Sequence, residues 1–292
     1  FIDNASNIAG KIGISEFIIG LSVVALGTSF PEIFVGISSI VNNNEEIALG
    51  TIVGSNISNI ALIFGVSCIG YSAAINPSSN KNFVALAMSV LVAIYALSDL
   101  NISQLDSLLL LLVLGYFIYI MATQLTESDQ SAEISDATFL NLFTFLFIGL
   151  IALVIGSNYA VVHGEKIALL IGIPKLIVGL TVLALGTSLP ELAVTISALM
   201  KRKNQMVLGN IIGSNVLNIA VVMPILGIFS NQNYDASIIT RDMIVMSALT
   251  LIFILIALSF NYKNISPNIY RFLGVFLVSV YVTYIGFLSG IF

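Results

Sequence analysis

The chain has 292 residues, 58% of them hydrophobic and only 9% charged, with a mean hydropathy of +1.06. A soluble domain cannot hide that much apolar surface, so the composition points to a bilayer. A net charge of -5 leaves no basic surface to neutralise phosphates, which excludes nucleic acid as a partner, and the single cysteine excludes a disulfide framework.

Apolar stretches recur at residues 17–41, 47–73, 83–97, 105–122, 139–157, 176–200, 206–229, 243–260 and 272–292. Most approach the ~20 residues a spanning helix needs. The third and fourth are short, which leaves a re-entrant segment open there. Long apolar runs without period-2 alternation argue for helices rather than a barrel. Cys68 sits in the second stretch and reads as a packing residue. His163, beside Glu165 and Lys166, reads as a solvated residue in the polar connection after the fifth.

The polar connection 123–138 divides the chain into halves at 1–122 and 139–292. If that connection is cytoplasmic, Lys11, Lys81, Lys201, Arg202, Lys203, Lys263 and Arg271 share its side, leaving Lys166, Lys175 and Arg241 opposite. The positive-inside bias favours this orientation.

The two halves repeat. One offset of 159 positions aligns them without a gap from Ile18/Ile177 to Ala61/Ala220, with about half the positions identical. Five crossings separate each element from its mate, so the copies face opposite ways, the signature of many secondary transporters. The expected fold is all-α, two inverted five-helix repeats. Phe1 pairs with Ala160, which follows the stretch 139–157, and nothing stands before Phe1 to match it. A tenth spanning helix is therefore expected ahead of this sequence.

The repeated core holds Gly27-Thr28-Ser29-Phe30-Pro31-Glu32 and Gly186-Thr187-Ser188-Leu189-Pro190-Glu191. An acid at mid-membrane costs about 2.5 kcal/mol or more, and Glu32 and Glu191 are the two of fifteen acids read as lying well inside apolar spans. Pro31 and Pro190 remove backbone donors, so both spans should break at the motif and free carbonyls such as those of Ala25 and Ala184. Thr28, Ser29, Thr187 and Ser188 add hydroxyls. A second repeated block places Ser55 with Asn59, and Ser214 with Asn218, four apart on one helical face. Hard oxygen ligands without thiolate or imidazole suit Ca2+ or Na+. Ser55, Asn56, Ser214 and Asn215 taken singly are equally compatible with helix packing. Glu16, Glu45 and Glu46 lie at span ends and read as solvated, the last two able to attract cations to one mouth.

These paired blocks, each followed by a Gly-Ser-Asn block, resemble the two alpha-repeats of sodium/calcium exchangers in the cation/Ca2+ exchanger superfamily. The resemblance implies ten helices, extracellular termini and residence in the cell membrane. It implies that Glu32 and Glu191 bridge the ions, with Thr28, Ser29, Ser55, Asn59, Thr187, Ser188 and Ser214 as side-chain ligands and Ala25 and Ala184 as carbonyl ligands. Asn218 stands where several relatives carry Asp, leaving two formal charges rather than three and arguing against a K+ requirement. Thr51 replaces the Asn usual there, matched by Asn210 in the second repeat.

The expected activity is Na+/Ca2+ antiport by a monomer without cofactor, the transported ions being Ca2+ and Na+. It is a transporter, not an enzyme. A proton/Ca2+ antiporter would use the same carboxylates; Ser29 and Ser188, which the resemblance links to Na+, argue against it. An intramembrane protease would need paired Asp rather than Glu. Cysteines replacing Lys201, Arg202 and Lys203 are expected to react with impermeant reagents from the cytoplasmic side only; labelling from outside would reverse the orientation.

Overall fold

Pro31 and Pro190 each fall in an apolar span, and the chain answers alike at both places. In the computed structural model, which describes residues 1–41, 45–70, 81–124, 138–170, 184–230, 233–259 and 266–290, helix α2 (Glu16–Thr28) stops before Ser29 and α3 (Phe30–Val41) starts after it. The two axes are bent by 42°. In the second half a single turn, α8 (Ala184–Thr187), stops before Ser188 and α9 (Leu189–Met200) follows. Ser29 (φ -81°, ψ 2°) and Ser188 (φ -88°, ψ 2°) share one non-helical conformation. Each proline then lies in the first turn of the new helix, where no backbone donor is required.

The remaining elements are α1 (Ile2–Ile12), α4 (Glu45–Ser58, continuing to Ile69), α5 (Lys81–Ala96), α6 (Gln104–Gln124), α7 (Phe139–Leu170), α10 (Asn204–Phe229), α11 (Ile238–Ser259) and α12 (Pro267–Leu288). Among the described residues, six helices are long and apolar enough to cross a bilayer, the bent pair makes a seventh, and α5 and α9 are shorter apolar helices. Every expected stretch falls on one of these, although the start of 176–200 lies outside the described residues, as does most of the connection 123–138. Among the described residues no strand occurs.

The offset of 159 is visible in the elements. Glu45–Ser58 is matched by Asn204–Leu217, and both helices then widen into π-helical segments beginning at Asn59 and Asn218. Helix α10 packs on α2: a Cβ on Gly209 would meet Phe17 O at 2.2 Å, and one on Gly213 would meet Leu21 O at 2.4 Å and Ala25 Cβ at 2.6 Å. Only glycine permits that approach. Contacts climbing from Phe17 to Ala25 as α10 climbs from 209 to 213 make the two helices parallel, whereas α9 turns straight back into α10 at Lys201–Lys203. The two broken spans therefore run in opposite directions.

Burial sorts centre from rim. Of the apolar stretch in α10, 83% is buried and of that in α4 78%, against 11% of that in α7, which lies at the rim. Edge-to-face rings of Phe64 and Phe253, 4.7 Å apart, tie α4 to α11, and Cys68 packs in the same buried core. At the Lys201 end, Lys203 Nζ lies 2.5 Å from Glu16 Oε1, which also accepts Ser6 Oγ at 2.7 Å, and Lys201 pairs with Asp3. Such partly exposed pairs contribute about 0.2–1 kcal/mol each.

Three sequence readings change. His163 lies on α7 itself, exposed and stacked on Tyr159 at 5.8 Å, because Gly156–Leu170 extends the helix beyond the apolar run. Glu16 and Glu45 are not freely solvated: the first is held as above and the second is buried. Near Glu45, burial and the adjacent carboxylate push the Tyr234 phenol up to about 12, so it faces Glu45 uncharged. Gly213→Leu is expected to wedge α10 from α2 and cost about 1–3 kcal/mol or more, read as a lower thermal midpoint of the purified protein.

Candidate ion-binding site

Each break delivers a serine and, one turn later, a glutamate into the bundle centre. Glu32 and Glu191 are both 1% exposed. The halves interlock through hydroxyls: Ser29 Oγ donates to Glu191 Oε1 at 3.2 Å, Ser55 Oγ donates to Glu32 Oε1 at 3.4 Å, and Ser55 Oγ lies 3.3 Å from Thr187 Oγ1. A first-half serine thus reaches the second-half acid, while Glu32 takes its bond from Ser55 of its own half and Ser55 carries the contact across to Thr187. These bonds are long and each is made by a neutral donor, too little to compensate two ionised carboxylates removed from water.

Around them, Glu32 Oε2, Glu191 Oε2, Ser188 Oγ, Ser214 Oγ and the side-chain oxygens of Asn59 and Asn218 are buried without a hydrogen-bond partner among the described residues. Buried polar atoms normally find partners, so their concentration here marks a place for a ligand. The donors are carboxylate, hydroxyl and amide oxygens, the set that hard cations take. Among the described residues no group of three or more His, Cys, Asp and Glu exists that could hold a softer metal.

The structure gathers the repeated blocks as the spacing predicts, with one qualification at the carbonyls. Ala25 O accepts the Ser29 N–H at 3.0 Å and Thr28 Oγ1 at 3.4 Å, so the break leaves it engaged rather than free. Ala184 opens the single turn α8. Asn56 and Asn215 turn away, their Nδ2 groups bonding Ile52 O at 2.8 Å and Ile211 O at 2.7 Å on their own helices. Asn210, the mate of Thr51, accepts Thr28 Oγ1 at 3.3 Å and anchors the first motif to α10.

A third acid inside a spanning helix escaped the hydropathy reading. Asp242 is buried near the start of α11, where Arg241 holds it through both carboxylate oxygens (2.7 and 2.9 Å) and Tyr284 Oη donates to it at 2.8 Å. The adjacent arginine had shortened the apparent apolar run to 243. Its charge is satisfied locally, so it ties α11 to α12 rather than awaiting an ion. Thr195 and Ser58, buried one turn beyond Glu191 and Ser55, were also passed over. Four-residue spacing from Glu191 was the available signal for the former.

A helical bundle built on two oppositely directed broken spans, with buried oxygen donors between them, defines a multi-pass membrane transporter. The sodium/calcium exchanger protein family matches residues 1–123 and 141–290. The putative antiporter CaxA of Alkalimonas amylolytica is 33% identical over 97% of this chain and 91% of its own length. The sodium/calcium exchanger MaX1 of Methanosarcina acetivorans is 30% identical over 98% and 92%. Among solved structures, the sodium-calcium exchanger NCX_Mj soaked with 2.5 mM Na+ and 10 mM Sr2+ superposes with a TM-score of 0.82 at 28% identity, covering 98% of this chain and 92% of that one. The chain belongs to the sodium/calcium exchanger family, within the cation/Ca2+ exchangers, and is a transporter rather than an enzyme.

Asp242→Asn should weaken the α11–α12 tie by about 1–3 kcal/mol. Its thermal midpoint should fall, while the added stabilisation on titrating Ca2+ into the same melt should match that of the unsubstituted protein.

Proposed function

We propose that this chain exchanges Na+ for Ca2+ across the cell membrane by alternating access, with the ions held between Glu32 and Glu191. The reading is carried by the cross-repeat links of Ser29 to Glu191 and of Ser55, itself bonded to Glu32, to Thr187, which unite two symmetry-related motifs in one site. Thr28, Ser29, Ser55, Asn59, Thr187, Ser188, Ser214 and Asn218 supply side-chain oxygens, Ala184 supplies a carbonyl, and Ala25 supplies one that it shares with the Ser29 N–H.

Charge explains exchange. One Ca2+ neutralises both carboxylates, and Na+ ions occupying overlapping oxygens do the same, so the two loads exclude each other. An empty site keeps two uncompensated charges in low dielectric, and moving the bundle past them is costly. The switch between outward and inward states therefore proceeds mainly with the site filled, and Na+ moving down its gradient expels Ca2+. Asn218 is neutral, so the site carries two charges rather than three and K+ need not be co-transported.

In vesicles loaded with Na+, uptake of radiolabelled Ca2+ should follow the Na+ gradient equally with and without K+. Glu32→Gln and Glu191→Gln should each lower it by about 100-fold or more, since removing one side of a buried charge pairing costs about 3–5 kcal/mol. Full flux in both variants would refute the carboxylate site. Uptake driven by a pH gradient without Na+ would instead assign protons as the counter-ion.

A further inference from the structure

Beyond the central oxygens, a polar step continues toward one end of the bundle only. A Cβ on Gly70 would lie 3.8 Å from Leu199 Cδ1, so the chain from Ser55 to Gly70 and the chain from Glu191 to Leu199 advance toward the same end, the one bearing Lys201. One turn along these two paths stand Ser58 with Asn59, and Thr195. The buried face of α9 carries Glu191, Val194, Thr195 and Ala198, and α9 packs on the π-helical segment Asn59–Phe64.

Ser58 and Thr195 are fully buried, and neither hydroxyl makes a well-formed hydrogen bond among the described residues; Tyr281 Oη, on the helix α12 that packs against the same segment, is likewise buried and lies beside the Ser58 hydroxyl. That is not the habit of hydroxyls in these helices. Ser67 bonds Ile63 O at 2.8 Å, Ser89 bonds Leu86 O at 2.7 Å and Thr250 bonds Met246 O at 2.8 Å, each satisfied by its own backbone.

The mirror route lacks these groups. At the offset of 159, Ser58 is matched by Leu217 and Thr195 by Gly36. The room beside Gly36 is filled by Val222, whose Cγ1 lies 2.4 Å from where a Cβ would stand. In one direction from the site the matched positions thus carry hydroxyls, and in the other aliphatic carbon.

We propose that Ser58 and Thr195, with the Asn59 amide shared from the central site, form a transient Na+ step between that site and the Lys201 end. The ligands are neutral, which suffices for a monovalent ion in passage; Ca2+ would need charge that the step does not carry. The inference rests on the Na+/Ca2+ reading of the central site. It makes Na+ access kinetically unequal from the two sides of the membrane.

The test uses the full chain in uniformly oriented vesicles, measuring Ca2+ release against Na+ added to either side. Thr195→Val and, separately, Ser58→Ala should raise the half-saturating Na+ concentration about 3–10-fold from the Lys201 side, the loss expected for one neutral oxygen ligand, and leave it within about 2-fold from the other side. Thr195→Ser should behave as the unsubstituted chain, and equilibrium Ca2+ binding by the detergent-purified variants should stay within about 2-fold, which separates the effect from misfolding. An equal shift from both sides, or none in either variant while the unsubstituted chain responds to Na+, overturns the step alone. No Na+ response in the unsubstituted chain overturns the central reading and the step together.

Discussion

Two carboxylates lie at the centre of a bundle that has almost no water to offer them, and the architecture around them follows from that cost. Glu191 accepts a long hydrogen bond from Ser29 and Glu32 accepts one from Ser55. Neutral hydroxyls cannot balance an ionised pair in low dielectric. Mobile cations can, and the proposed exchange rests on that. The helix breaks at Ser29 and Ser188 matter because they aim hydroxyls and helix ends at this spot. The glycines of α10 matter because they bring that helix onto α2 closely enough for Thr28 to reach Asn210.

Inversion gives the site its second property. With the two broken spans running oppositely, Glu191 meets Ser29 of the other repeat, and Ser55, bonded to Glu32, meets Thr187. A route toward either end of the bundle begins with the same residue types. Where the side chains beyond that point stay paired by type, the two routes are equivalent. Where they diverge, as Thr195 against Gly36 and Ser58 against Leu217, the symmetric frame carries a directional difference. The π-helical segments starting at Asn59 and Asn218 preserve the frame, since each occurs at the same place in its repeat. Such one-residue expansions are common at functional sites because they shift which side chain faces inward.

Much of this could be read before any coordinates. Spanning helices follow from apolar length, and a gapless offset with the same Pro and Glu in both copies predicts two breaks, two acids and one site. The misreadings share a cause. Hydropathy weighs each residue by its own solvation, so Arg241 and Asp242 ended an apolar run although they satisfy each other, and Glu45 seemed solvated because charge favours water when nothing covers it. His163 falls in an apparent connection because polarity ends the apolar run there, whereas backbone hydrogen bonds ignore polarity and carry α7 on to Leu170.

By itself, the sequence determined the membrane class, the repeat, the positions of the breaks and the identity of the two acids, since these depend on transfer energies, proline geometry and an offset that can be counted along the chain. Tertiary structure alone decided which hydroxyl meets which carboxylate and which buried groups are left without a partner. Contacts such as Ser29 with Glu191 join residues 162 positions apart. No local propensity encodes that meeting. It exists because helices of the two halves pack glycine to backbone, and the distance between partners is then set by packing rather than by the chain.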